Sequence, residues 1–219
     1  MVVQLLRKDF LITKSKYIIV LIILVGLQVI SATEMMANFQ GVVFLYSVVF
    51  CTLLVLNSIS QYEAVYPKAI NFLCAAPYSR SAFVISKYIT MVLIFLLALV
   101  ANIIITLIIR GEILMPASAI LLVLAINTII FGIYFPLEFK FGYDKTKFFF
   151  MIMILVVAFL PAIFSNLIVV IDFGAIEQFI TKIVTLPAYL QCIALAVIIV
   201  AVFIISMVKS IKIFENKDL

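Results

Sequence analysis

Six long apolar runs, separated by short polar or turn-forming stretches, dominate the chain: roughly Tyr17 to Ser31, Val42 to Ser60, Phe83 to Ile109, Pro116 to Leu137, Phe148 to Ile171 and Ala188 to Val208. A helix rises 1.5 Å per residue, so about 20 apolar residues cross the ~30 Å hydrocarbon layer of a bilayer. The pattern therefore predicts six transmembrane helices. The first run is short and spans the layer only if Ala32 and Thr33, or residues before Tyr17, join it. Pro161 predicts a kink or break in the fifth, because proline removes one backbone hydrogen bond and clashes with the preceding turn.

Composition agrees with this reading. The 219 residues are 68% hydrophobic and 11% charged, with a mean hydropathy of +1.40. A soluble domain is about half apolar and a quarter charged, and could not hide so much apolar surface. The expectation is an all-α integral membrane protein with one transmembrane domain over residues 1–219 and no room for a nucleotide-binding domain. The net charge of +5 would suggest nucleic acid on a soluble face, but these charges flank apolar runs and act as orientation signals, so no nucleic-acid partner is expected.

Lys and Arg are retained on the cytoplasmic side of short loops. Sorted by connection, thirteen of the 15 basic residues fall on one side: Arg7, Lys8, Lys14 and Lys16, then Lys68, Arg80 and Lys87, then Lys140, Lys145 and Lys147, then Lys209, Lys212 and Lys217. Arg110 and Lys182 fall on the other. A five- or seven-helix count breaks this alternation, so both termini are expected in the cytoplasm. A cleaved leader ending near Ser31-Ala32 is the alternative, and it would leave an odd number of crossings.

The chain has no histidine and three scattered cysteines, Cys51, Cys74 and Cys192. Zinc sites, haem ligation and most general-base catalysis use those side chains, so neither a metal nor catalytic residues are expected, and the cysteines read as small hydrophobes. The carboxylates read as loop residues without a paired, buried setting. Inside the runs the strongly polar side chains are Asn57, Asn102, Asn127 and Asn166, accompanied by Ser and Thr. An amide in hydrocarbon must find a partner, so these face neighbouring helices or a wet lumen. With no charge placed firmly mid-span, ion-driven transport through buried carboxylates is disfavoured.

The connections carry further signals. Met1 to Lys16 has apolar residues at helical spacing with Arg7, Lys8 and Lys14 elsewhere; it reads either as an interfacial amphipathic helix or as a charged leader that fixes topology. Between the second and third runs, Pro67 is placed to open a short helix and Pro77 to end it, with Ser79 or Ser81 capping the next span. After the fourth run, the stretch Tyr134 to Lys147 combines interfacial aromatics with charges, and Gly142 supplies a turn. Phe173 to Pro187 is too apolar for a solvated loop and reads as a helix on or in the outer leaflet.

With these features in place, the chain resembles the ABC-2 type permeases, within them the small single-domain group similar to exporters of phenol-soluble modulins and related amphipathic peptides. Ala75-Ala76-Pro77-Tyr78-Ser79-Arg80 followed by Ser86-Lys87-Tyr88 looks like the family's Leu-Pro-x-Ser-Arg…Lys stretch, with Ala76 where Leu is usual. Phe135-Pro136-Leu137-Glu138-Phe139-Lys140-Phe141-Gly142-Tyr143-Asp144-Lys145 is similar to its Pro-Leu…Lys-Phe-Gly motif. Leu6-Arg7-Lys8-Asp9-Phe10 resembles its N-terminal elbow helix.

The resemblance implies a half-transporter of the bacterial cytoplasmic membrane. Two copies, or one copy and a related permease, would bind two cytoplasmic ABC ATPase subunits that carry the ATP and Mg, since no P-loop order occurs here. The connection after the second span would be a cytoplasmic coupling helix docked on the ATPase, with Glu63, Lys68, Asn71, Arg80 and Lys87 as polar contacts. Ile70, Phe72 and Leu73 would form the apolar key, and Pro77 and Ser79 would shape the turn. Glu138, Lys140 and Gly142 would form a second cytoplasmic contact. An apolar lumen suits lipid-like cargo or amphipathic peptides such as phenol-soluble modulins or antimicrobial peptides. A membrane enzyme is disfavoured without histidine, and a non-transporting assembly or sensory subunit is the alternative.

Overall fold

The computed structural model describes residues 2–33, 40–65, 80–111, 115–149, 151, 152, 155 and 188–216. The expected coupling helix with Lys68, Ile70, Asn71, Phe72, Leu73, Pro77 and Ser79 lies outside them, as do Pro161, Asn166, most of the fifth apolar run and the Phe173 to Pro187 stretch. Every described element is a helix: α1 Val2–Ile12, α2 Lys14–Ser31, α3 Gln40–Val65, α4 Arg80–Arg110, α5 Ala117–Phe141, α6 at 143–149, and α7 Ala188–Glu215. Five of them, α2, α3, α4, α5 and α7, are long and apolar enough to cross a membrane.

Local chemistry sets their limits. α2 starts at Lys14, so residues before Tyr17 do extend the short first run, to 18 residues or about 27 Å. Extended Pro116 precedes α5, where a missing N–H costs nothing. Gly142 closes α5 at φ 78°, its N–H bonded to the Glu138 carbonyl at 2.8 Å, a positive-φ conformation that favours glycine. One boundary moves: the fourth run, read as ending at Leu137, continues as α5 to Phe141 and carries Pro136 inside the helix. The helix tolerates it because another element takes up the backbone group that it frees, as described below.

The contacts order the helix ends. Arg110, at the end of α4, donates to the Ala32 carbonyl at the end of α2 through Nε at 2.7 Å. At the other end, Arg80 Nη1 donates to the Glu215 carbonyl at 2.8 Å, joining the start of α4 to the end of α7. α2 and α4 therefore run one way and α3, α5 and α7 the other. The parallel pair α5 and α7 also makes the most extensive contact in the bundle.

Two apolar cores lie between the helices. One gathers Leu5 of α1, Leu53 and Leu56 of α3, Tyr88 and Met91 of α4, and Phe131, Phe135 and Phe139 of α5. The other gathers Leu24, Phe44, Val48, Val55, Ile94 and Phe95 toward the opposite end. The outer faces remain apolar, with Leu96, Val100 and Ile108 on α4 and Val197, Val200 and Ile204 on α7 about half exposed or more. Such surface suits hydrocarbon and would be a liability in water.

Candidate functional site

At the end of the bundle where α1, the start of α4 and the ends of α3 and α5 meet, five charged side chains form one network. Lys87 Nζ lies 2.9 Å from Glu63 Oε2 and 2.8 Å from Glu138 Oε1. Lys8 Nζ lies 3.0 Å from Asp9 Oδ1 and 3.6 Å from Glu63 Oε1. Ser60 donates to Glu138 and accepts from Lys87 Nζ at 3.3 Å. Lys87 is only 3% exposed. Its position seven residues into α4 puts it about 10 Å from the helix start, near the boundary between headgroups and hydrocarbon.

Aromatic rings wall the network. Lys8 and Lys87 sit 5.4 and 5.5 Å from the Phe83 ring, and Lys87 sits 5.4 Å from that of Phe139. Both rings pack on Phe214 of α7, with centroids 5.2 and 5.4 Å away. One cation thus ties α3, α4 and α5 together, and the rings carry the tie to α7. In a water-poor site, separating such a pair leaves an uncompensated charge, so the relative positions of these helix ends are strongly coupled.

The network holds two cations against three carboxylates. Among the described residues Glu138 Oε2, Glu63 Oε1 and Asp9 Oδ1 are buried without a hydrogen bond, although the last two lie within ion-pair reach of Lys8. Burial pushes the Asp9 carboxyl above its ordinary range, with Lys8 and Lys87 partly opposing the shift.

These facts correct two expectations. The carboxylates of Glu63 and Glu138 are not loop groups without a paired setting; they lie in helices and are paired around Lys87. Glu63 and Lys87, expected to face a partner, are turned into the bundle, because apolar surroundings hold the lysine where the two carboxylates and the Ser60 hydroxyl satisfy it. Arg80 is half-buried and bonded to the last turn of α7. Lys140 is exposed over the Phe141 ring, 5.3 Å from its centroid.

A matching segment of the whole chain decides its class. Residues 4–215 match the model of the ABC-2 family transporter proteins. The chain belongs to this family. No curated protein and no solved structure matches it. The permease is thus a membrane transport component, and its charge network lies at both borders of the connection between α3 and α4.

The amides divide. Asn102 donates to Gln28 Oε1 at 2.6 Å, and Gln28 donates to Ser47 Oγ at 2.7 Å, so α2, α3 and α4 share a buried polar node. Asn57 is half-buried, and Asn127 is fully buried with neither amide atom bonded among the described residues. Gln28, wholly buried within the first span, was missing from the polar set read from the sequence. So were Tyr88, Ser206 and Ser210, which join α4 to α7 at 2.6 and 2.8 Å. Helical spacing shows which face a hydroxyl occupies but not which helix lies opposite.

Proposed function

We propose that the permease is the membrane subunit of an ATP-driven exporter, in which the Lys87 network transmits movement of the 66–79 connection to the bundle. One observation carries this reading: Glu63 lies three residues before that connection and Arg80 directly follows it, and both are tied into the bundle, Glu63 to α4 through Lys87 and Arg80 to α7. A push on the connection therefore loads a shared ionic joint, which resists separation and moves the helix ends together.

On this reading two copies of the permease, or one and a related permease, bind two ATPase subunits that hold ATP and Mg. Closure of the ATPases rocks the bundles between inward- and outward-open states. The cargo is amphipathic, a peptide such as a phenol-soluble modulin or an antimicrobial peptide, because the helices offer extensive apolar surface with few fixed charges along their length.

The test is co-expression with an ABC ATPase, purification of the complex, and ATP hydrolysis with and without amphipathic peptide. Wild type is expected to respond to cargo, whereas Lys87→Met, destabilised but still folded, and Lys87→Met/Glu138→Gln, which recovers part of the stability, both assemble and hydrolyse ATP without a cargo response. A Lys87→Met complex with an unchanged response would exclude the network as transmitter. Failure of any ATPase to assemble with wild type would exclude the exporter reading.

A further inference from the structure

Between α1, α2 and α4 runs a groove of about 590 Å³, within the usual size range of small-ligand sites. Its walls are Leu6 and Phe10 of α1, Ile18 and Leu21 of α2, and Leu93 and Leu97 of α4. The Phe10 and Tyr17 rings, 5.0 Å apart, bridge the α1–α2 bend. Two cations, Arg7 and Lys14, belong to the same lining, and no carboxylate does. Neither has an ion-pair partner among the described residues. The neighbouring Lys8, by contrast, is consumed by Asp9 and Glu63.

From these features we infer that the groove binds one anionic glycerophospholipid, an acyl chain lying along the apolar walls and the phosphate bracketed by Arg7 and Lys14. Three observations favour this occupant. The cations are confined to α1 and the first residue of α2, while the α4 wall from Thr90 to Leu97 is uncharged. That wall begins about 15 Å along α4 from Arg80 and extends some 10 Å further, the depth of acyl chains beneath a headgroup. The wall residues are also open to the lipid phase, Ile18 being 57% and Leu93 51% exposed. A polar ligand would leave them uncovered, and a zwitterionic lipid such as phosphatidylcholine would bring its own choline cation beside Arg7 and Lys14. Each cation near a surface phosphate strengthens anionic-lipid binding roughly fivefold.

The chain contains no tryptophan, so one introduced indole reports its own lipid neighbours. The full-length Ile18→Trp protein, with Leu93→Trp as a second reporter in case the first disturbs folding, is reconstituted without any ATPase into phosphatidylcholine vesicles. These contain equal, small fractions of brominated phosphatidylglycerol or brominated phosphatidylcholine. The groove predicts stronger quenching by the brominated phosphatidylglycerol. Its apparent affinity should fall about 30-fold in Arg7→Gln/Lys14→Gln and remain unchanged in Lys209→Gln/Lys212→Gln, where the lost cations lie on α7. Equal quenching by the two lipids overturns the proposal, as does an equal loss in the α7 control. Preferential quenching by an added bromophenylalanine-bearing amphipathic peptide assigns the groove to cargo and also overturns it. Because no ATPase is present, these outcomes stand apart from the exporter reading.

Discussion

Ser206 Oγ of α7 donates to the Gly132 carbonyl of α5 at 2.7 Å. That carbonyl is the acceptor four residues before Pro136, which has no N–H to offer it. With its own proton so used, Ser206 accepts from Tyr88 at 2.6 Å, and Tyr88 accepts from Ser210 at 2.8 Å. Gly132 permits the approach: a Cβ there would meet Val202 Cγ1 at 3.3 Å. The proline thus turns a lost intrahelical bond into the link between parallel helices α5 and α7.

This arrangement predicts a specific non-additivity. Ser206→Ala should lower stability by about 0.6 to 1.7 kcal/mol, the range for hydrogen bonds between membrane helices. In a Pro136→Ala background the restored Ala N–H satisfies Gly132, and the same substitution should cost measurably less. Thermal unfolding of the four proteins in one detergent measures the cycle, and equal costs in both backgrounds would show that the proline is irrelevant to the contact.

Lys87→Met should be among the most damaging single changes, costing about 3 to 5 kcal/mol, because Glu138 is left buried without its counter-charge and Glu63 keeps only the longer pair to Lys8 at 3.6 Å. Adding Glu138→Gln to Lys87→Met removes one of the stranded charges and should recover part of the loss. Unfolding midpoints of single and double variants distinguish this from simple loss of packing, for which the second change would bring no recovery.

Asp9 supplies a pH dependence. Burial raises its carboxyl pKa in the folded chain, so the native state holds this proton more tightly than the unfolded state does. That contribution is complete below the ordinary carboxylate value of about 3.9 and is lost as pH rises through the raised folded value. Asp9→Asn, neutral throughout, should flatten this part of the profile. Melting midpoints of both proteins between pH 4 and 7 test it, and identical slopes would contradict the assignment.

Much of the bundle was legible in the sequence because apolar run length has one dominant cause, the thickness of hydrocarbon. The spans containing Leu24, Leu53, Met91 and Phe131 were found this way, and Gly142 announced its turn. Composition did not reveal that Glu63, Lys87 and Glu138 meet, since they are separated by 24 and 51 residues and each lies where a span end and a loop look alike. The role of Pro136 was hidden for a related reason: the hydroxyl that takes up the carbonyl it frees comes from Ser206, 70 residues later. Gln28 was hidden within an apolar run, and only the arrival of Ser47 and Asn102 on its face explains its burial.

On the exporter reading, the end of the bundle bearing the Lys87 network faces the cytosol, where a motor can act on it. Cysteine labelling in intact cells tests this most directly, using a background lacking Cys51, Cys74 and Cys192 and single cysteines at Lys140 and Gly111, which lie at opposite ends. A membrane-impermeant maleimide should modify Gly111→Cys in intact cells and Lys140→Cys only after permeabilisation. Labelling of Lys140→Cys from outside, with Gly111→Cys protected, would contradict the account.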